Sequence, residues 1–425
     1  MASGDHAPLP VPFTALVGRT REIAGIAALL GRDDVRLVTL TGPGGVGKTR
    51  AAIAAAREIA VRFRHGARFV TLAPVNGAHL VAAAIAQALG VQEAGDTPVE
   101  QRLVAFLRDK HLLLVLDNFE HVVDAAPLVA HLLASCPDLH VLATSRIPLK
   151  LSGEREYALA PLGVADPAEP ASPGETVHSD AVLLFAERAR AVAPDFQLSA
   201  DMAPLISEIC RRLDGLPLAI ELAAARVKVL PPSALLARLE HRLPLLTGGN
   251  RDLPDRQRTM RDAIAWSYDL LSPEEQVLFR LLSVFVGGFS LEAAEFVAGE
   301  GERGNDGQEN ASPPVPLTPL PPTLDGITSL VDKSLVRPEA SPAPRGFPEP
   351  RYGMLETIRE FGLEQLAKAA EEDDVRRAHA AWCLDLAERA RERSLSGRRW
   401  SIPTVEPDSL RLVEADHDNI RSALT

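Results

Sequence analysis

The chain has 425 residues, of which 46% are apolar and 4% aromatic, and a formal net charge of −12. That length predicts roughly three domains, and the apolar fraction suits helix-rich globular packing while excluding a disordered or fibrous chain. The acidic balance excludes a protein that coats nucleic acid by charge alone; Cys136, Cys210 and Cys383, far apart and odd in number, form no disulfide framework or zinc spacing and point to a reducing cytoplasm.

Residues 1–15 read as a flexible leader rich in proline and small residues, without the charged-then-apolar pattern of a secretion signal. From residue 16 to about 165, short apolar runs alternate with helical patterns. Strands are expected at Arg36–Thr41, Arg68–Leu72, Leu112–Asp117, His140–Thr144 and Glu156–Leu159. Apolar runs flanked by helices are what a parallel sheet covered on both faces requires. The interval Phe69–Gln92 lacks Asp, Glu, Lys and Arg, but Pro74, Asn76, Gly77 and His79 interrupt it. A membrane span needs about 20 consecutive apolar residues, so this stretch reads as strand, turn and buried helix.

The Pro/Gly/Ser-rich stretch Asp166–Thr176 precedes an all-helical domain expected over 178–250. Ser179 or Asp180 is the expected N-cap, and Val182, Phe185, Ala186 and Ala189 form an apolar stripe. A second helix carries Ile206, Ile209, Cys210 and Leu213; it stops at Gly215, and Pro217 stands where the next helix begins. Residues 255–370 read as a compact helical unit with a late hairpin. There Ser272-Pro273-Glu274-Glu275 combines a capping box with proline at the first helical position. Residues 299–322, poor in aromatics, read as a disordered insertion. A helix around Leu324–Asp332, strands at Ser334–Arg337 and Arg351–Met354, and a helix over Glu356–Ala369 follow, the order of a winged-helix domain with Glu339–Pro350 at the tip of the wing. The tail, 374–425, is expected to be helical, with His379, Trp382, Cys383 and Leu386 on one face. His379 and Cys383 are read as core packing, because two ligands do not make a zinc site.

Chemistry concentrates in Gly42-Pro43-Gly44-Gly45-Val46-Gly47-Lys48-Thr49, which satisfies G-x-x-x-x-G-K-[ST]. Its glycines let successive backbone N–H groups curl into an anion-binding nest, Lys48 reaches the β- and γ-phosphates, and Thr49 ligates Mg²⁺. The loop follows a strand and precedes the helix-forming run Arg50–Ile59, so the helix N-terminus adds its positive end; Arg50 completes the phosphate-side set. The run Leu112-Leu113-Leu114-Val115-Leu116-Asp117 places a carboxylate at the sheet's C-terminal edge, where it holds Mg²⁺ through water. Asn118 follows where a second acid would activate water; an amide positions water but takes no proton at neutral pH, so slow hydrolysis is expected. Glu120 is nearby, and a solvated residue opening a helix is at least as good a reading of it. Arg146, closing Thr144-Ser145-Arg146 at the end of the fourth strand, is expected to reach the γ-phosphate; the alternative is a surface arginine paired with some carboxylate.

Val17-Gly18-Arg19-Thr20-Arg21-Glu22, the phosphate loop, Leu114–Asp117, Thr144–Arg146 and Gly215-Leu216-Pro217-Leu218-Ala219 occur in that order. The set resembles the NB-ARC class of STAND nucleotide-switch ATPases. Gln257-Arg258-Thr259-Met260-Arg261, Trp266-Ser267-Tyr268, Leu330–Val336 and Met354–Glu360 resemble the large LuxR-type and antibiotic-regulatory transcriptional regulators of actinobacteria, and the likeness spans residues 10–425. The resemblance implies a fold of several domains: a P-loop NTPase parallel sheet, a helical domain, a winged-helix domain and the start of a tetratricopeptide-like helical repeat. It implies that Val17, Gly18 and Arg19 line the adenine and ribose, that Pro217 packs on the adenine, and that Arg146 senses the γ-phosphate. It further implies ADP in a closed resting state, exchange for ATP with self-association, and a protein or ligand signal received by the C-terminal helices.

Three departures from that family stand out. Met354-Leu355-Glu356 replaces its Met-His-Asp signature, Asn118 replaces its second acid, and no effector module is found: Met1 is expected to leave no place for an N-terminal DNA-binding domain, and Thr425 to end the chain before a C-terminal one. Competing functions are a kinase or ATPase motor whose turnover is the purpose, or DNA binding through the winged helix. Its candidate recognition helix, Thr323–Lys333, carries Asp325, Asp332 and one lysine, so no direct DNA contact is expected. The expectation is a cytoplasmic, adenine-nucleotide-binding switch.

Overall fold

A computed structural model describes residues 9–92, 97–164, 179–239, 241–249, 258–299, 322–339, 350–396 and 416–424. The first eight leader residues, the 166–176 linker, Gln257, insertion residues 300–321, wing-tip residues 340–349 and tail residues 397–415 lie outside the described residues. The chain divides into two compact units, 1–263 and 264–425.

In the first unit the elements run α1 (Thr20–Leu30), β1 (Leu37–Thr41), α2 (Lys48–Ile59), β2 (Ala67–Thr71), α3 (Val81–Leu89), α4 (Val99–Leu107), β3 (Leu112–Asp117), α5 (Ala126–Ser135), β4 (Leu139–Thr144) and β5 (Glu154–Ala158). The strands form one five-stranded sheet in the order β2-β3-β4-β1-β5, parallel throughout. Every residue of β1 and β3 is buried, which is why both read as unbroken apolar runs rather than alternating ones. Helix α2 turns Ala51, Ala52, Ala55 and Ala56 inward, and side chains this small let a helix lie close against strands. The edge strand β5 carries Glu154, Arg155 and Glu156. It begins two residues before the expected Glu156, because a charged, half-covered edge shows no apolar run to mark its start.

Strand β4 separates β1 from β3, with Leu40 paired to Thr144 and Leu116 to Ala143. The phosphate loop after β1 and the carboxylate ending β3 therefore flank the C-terminal end of β4. After β5 come α6 (Asp180–Val192), α7 (Ala203–Arg212), α8 (Pro217–Ala224) and α9 (Pro232–Ala237). Ser179 caps α6 by accepting from the Val182 N–H. Gly215, at φ +64°, makes the corner between α7 and α8, where an added Cβ would stand 2.3 Å from the Leu162 carbonyl oxygen. The Leu162 N–H donates to the Gly215 carbonyl at 2.9 Å, tying this corner to the segment that leaves the sheet. Helix α10 (Met260–Tyr268) crosses the division between the units in sequence.

The second unit contains α11 (Pro273–Leu282), β6 (Phe289–Ser290), α12 (Leu291–Ala298), α13 (Thr323–Asp332), β7 (Arg337–Glu339), β8 (Arg351–Gly353), α14 (Glu356–Lys368), α15 (Glu372–Ser396) and α16 (His417–Ala423). Ser272 and Glu275 form the capping box of α11. The sheet has three antiparallel strands, β6-β8-β7, where two were expected. Two residues of β6 are too few to register as a pattern. Strand β7 starts at Arg337 rather than Ser334, because Leu335 and Val336 are buried and still bond back to the Leu330 carbonyl. His379, Trp382, Cys383 and Leu386 are buried on one face of α15. His379 Nε2 lies 3.4 Å from Asn419 Oδ1 on α16, and its ring meets Phe285 edge-on. Among the described residues no helix is long and apolar enough to cross a membrane.

Candidate functional site

Strand β1 delivers the chain into a loop whose Gly42, Gly45 and Gly47 all have positive φ. At Gly45 two constraints coincide: φ is +80°, and an added Cβ would stand 2.8 Å from Leu218 Cβ. The Leu218 N–H, at the start of α8, donates to the Gly45 carbonyl at 3.1 Å. The helical segment is thus seated on the loop, and any side chain at Gly45 would push it away.

Lys48 opens α2 and is folded back on its own loop, with Nζ donating to the Gly42 carbonyl at 2.6 Å and the Pro43 carbonyl at 3.1 Å. Burial, helped by the nearby Arg146 charge, pushes its pKa down to about 8, against the pull of Glu120 and Asp117. The hydroxyl of Thr49 donates to Asp117 Oδ1 at 2.7 Å, and that of Thr144 donates to the same oxygen at 2.6 Å. Burial raises the Asp117 pKa, while these hydroxyls oppose the rise. Thr144 Oγ1 also accepts from the Asn118 N–H at 3.0 Å. The middle strand of the site therefore braces the acidic strand as well as closing the sheet.

Arg146 is only 6% exposed. Its Nη1 donates to the Ala263 carbonyl at 2.9 Å, and its Nε lies 3.4 Å from Glu120 Oε1. The alternative of a surface arginine is corrected as to its exposure, while the carboxylate partner it expected is Glu120. Corrected too is the solvated reading of Glu120, which is 3% exposed. Burial alone would raise the Glu120 carboxyl, but Arg146 and Lys48 together hold it below its ordinary range. Asn118 adopts a left-handed conformation, φ +64°, and its Nδ2 donates to Glu120 Oε1 at 3.3 Å.

On the other side of the loop Arg19, also left-handed at φ +70°, is buried. It donates from Nη1 to Glu22 at 2.7 Å and from Nη2 to the Val46 carbonyl at 3.2 Å, clamping the loop from outside. Gly18 lets the chain pass α6, since a Cβ there would stand 2.5 Å from Asp180 Cγ. The Arg50 guanidinium is directed to the leader, donating to the Thr14 and Ala15 carbonyls at 2.9 and 2.7 Å, with Glu221 at 3.5 Å.

These groups surround a cavity of about 430 Å³, within the usual range for small-molecule sites, about 300–1,000 Å³. Val17, Arg19, Gly44, Gly45, Val46, Gly47, Lys48, Thr49, Arg50, Asp117, Arg146 and Pro217 line it; Gly18 and Gly42 do not. Apolar Leu16, Val17, Leu184 and Pro217 share the lining with the loop and the acidic side chains. One carboxylate and one hydroxyl 2.7 Å apart suit Mg²⁺, which binds through one or two protein oxygens plus phosphates and water. Among the described residues no cluster of three or more His, Cys, Asp or Glu could hold a metal by itself.

Sequence reasoning undervalued Glu120 and gave no role to Thr144, Leu218 or Glu221. Nothing local distinguishes a buried Glu120, because its partner Arg146 comes from another strand. Thr144 carried a usable signal, a hydroxyl ending the strand that closes on the acidic one.

Residues 32–159 match the AAA domain family. The "Uncharacterized protein Rv0894" of Mycobacterium tuberculosis (strain ATCC 25618 / H37Rv) is 37% identical over 364 residues, 85% of this chain and 84% of that protein. The "Putative HTH-type transcriptional regulator Rv0890c" of the same strain is 40% identical over 401 residues, 93% of this chain. The chain spans 40% of that longer relative's length. Among solved structures, the STAND protein with a tetratricopeptide repeat sensor, PH0952 of Pyrococcus horikoshii, is 17% identical with a TM-score of 0.32, covering 99% of this chain and 54% of that one.

Proposed function

Because the chain belongs to the family of the mycobacterial protein Rv0894 and carries an AAA-type P-loop ATPase domain, we propose that it is an ATP- and ADP-binding switch, the regulatory ATPase core of a transcriptional regulator. The observation that carries this reading is the Thr49–Asp117 pair at 2.7 Å beside Lys48, at the mouth of a cavity lined by the phosphate loop. In this reading backbone amides of Gly44–Thr49 and the Lys48 ammonium grip the phosphates, and Val17 and Pro217 face the base. Thr49 and Asp117 would hold Mg²⁺, which neutralises phosphate charge. Arg146 responds to the γ-phosphate, and hydrolysis is slow, so that the nucleotide marks a state.

The seating of Leu218 on Gly45 supports the switch, because whatever fills the loop acts on α8 directly. A ligand must prefer one state by about 5.5 kcal/mol to move a population from 1:99 to 99:1, and charge-assisted bonds to a γ-phosphate contribute part of that. We read residues 178–250 as a helical domain, 255–370 as a winged-helix domain and the tail as the start of a repeat that receives a protein or ligand signal, with self-association in the ATP state. The winged helix is a structural element in this reading: Lys333, the lysine closest to α13, is committed to Glu275 at 2.5 Å.

Binding of labelled ATP and ADP tests the core of the proposal. Losing the Lys48 ammonium removes about 1.5–3 kcal/mol of charged hydrogen bonding, so Lys48→Ala should weaken binding about 10- to 100-fold. Equal affinity of variant and parent would end the nucleotide reading. Turnover faster than about one per second would favour a catalytic role, since kinases run at about 1–100 per second.

A further inference from the structure

We propose that Glu120 is the base that activates water for nucleotide hydrolysis, the role that Asn118 cannot fill, and that Arg146 restrains it. This inference rests on the nucleotide-binding reading above. The left-handed turn at Asn118 and the 3₁₀ turn Phe119–Ala125 fold the chain back after β3. Phe119 anchors that turn in the core at 0% exposure, and Glu120 is thereby delivered to the cavity lining.

A purely structural carboxylate would satisfy both oxygens. Glu120 does not: Oε1 takes the Asn118 amide and the edge of Arg146, whereas Oε2 is buried with no partner among the described residues. Leaving a buried charged oxygen unbonded is costly, and native structures retain such groups for a reason. Arg146 could fork both oxygens, yet it spends Nη1 on the Ala263 carbonyl. The neighbouring carboxylates also diverge. Asp117 accepts two hydroxyls, from Thr49 and Thr144, on Oδ1, while among the described residues Glu120 accepts no hydroxyl and keeps a buried oxygen, Oε2, without a donor.

In the step inferred, Glu120 Oε2 takes a proton from a water whose oxygen forms a bond to the γ-phosphorus. The bond from that phosphorus to the β–γ bridging oxygen breaks, and its electron pair stays on ADP. The proton then passes from Glu120 to solvent or to the released phosphate. Pairing with Arg146 lowers the proton affinity of the carboxylate. The base strengthens when the guanidinium turns toward an anionic phosphate, which links γ-phosphate sensing to hydrolysis.

The test uses the full chain, equilibrium binding of labelled ATP and single-turnover hydrolysis. Glu120→Gln should bind ATP within about threefold of the parent and hydrolyse it about 100-fold more slowly, the low end of general-base effects. Glu120→Asp keeps a charge opposite Arg146, guarding against misfolding, and should bind normally while losing at least about tenfold in rate. Parental hydrolysis by either variant with intact binding overturns the assignment to Glu120. Parallel loss of binding and rate in both variants overturns it too, showing a structural role. A parent chain that binds no ATP overturns the nucleotide reading itself, a result seen before any variant is compared.

Discussion

Lys48 stands between two demands: burial disfavours its charge, and a phosphate site needs that charge. Its pKa falls from 10.5 to about 8, chiefly through burial. A lysine depressed on folding binds fewer protons in the native than in the unfolded chain between those two values. Its contribution to stability is therefore least favourable below about pH 8 and improves as pH rises toward 10.5. On the proposed reading nucleotide affinity should run the other way, because a phosphate held by Lys48 requires the ammonium. Binding should weaken as pH climbs past about 8 and be accompanied by proton uptake just above it. Calorimetry in buffers of different ionisation enthalpy should give buffer-dependent heats for the parent and none for Lys48→Arg. Lys48, Thr49 and Asp117 were legible in the sequence because their chemistry depends on local spacing. The environment of Glu120 was not, because Arg146 arrives from a different strand.

At the scale of elements, the junction between α7 and α8 decides where α8 rests. Gly215 is there for two reasons, a left-handed φ of +64° and the Leu162 carbonyl 2.3 Å from any added Cβ. Gly153 offers a control, since it shares the positive φ, +82°, but opens onto free space. Gly153→Ala should cost about 1–2 kcal/mol, the left-handed penalty for a side chain. Gly215→Ala should cost more than that and also weaken nucleotide binding, because Leu218 would leave Gly45; denaturant unfolding and a binding titration check both. Equal costs for the two substitutions would mean that the corner is not constrained by Leu162. The expected strands of the five-stranded sheet lie within two residues of the observed ones, and the capping box and the Ser179 cap are in place. Two misses share a cause: β5 is a charged edge and β6 has two residues, and neither carries enough periodicity to be seen.

At the scale of the molecule, the three tryptophans provide a test of the switch. Trp266, Trp382 and Trp400 all fall within residues 264–425 of the sequence, and neither of the two described ones, Trp266 and Trp382, lines the cavity. If nucleotide exchange alters the second unit, replacing ADP by a non-hydrolysable ATP analogue should shift tryptophan emission, although neither Trp266 nor Trp382 lines the cavity. Identical emission with both nucleotides, at saturation confirmed by binding, would refute the switch while leaving nucleotide binding intact. The sequence by itself determined the phosphate loop, the acidic strand and the alternation of strands and helices. Those depend on interactions within a few residues and on whether a segment is covered on one face or both. Only the tertiary structure decided that β4 lies between loop and carboxylate, that Thr144 braces Asp117 from it, and that α8 is seated on Gly45. Strand order and side-chain pairing across it are set by packing between segments distant in the chain, and no local pattern encodes such contacts.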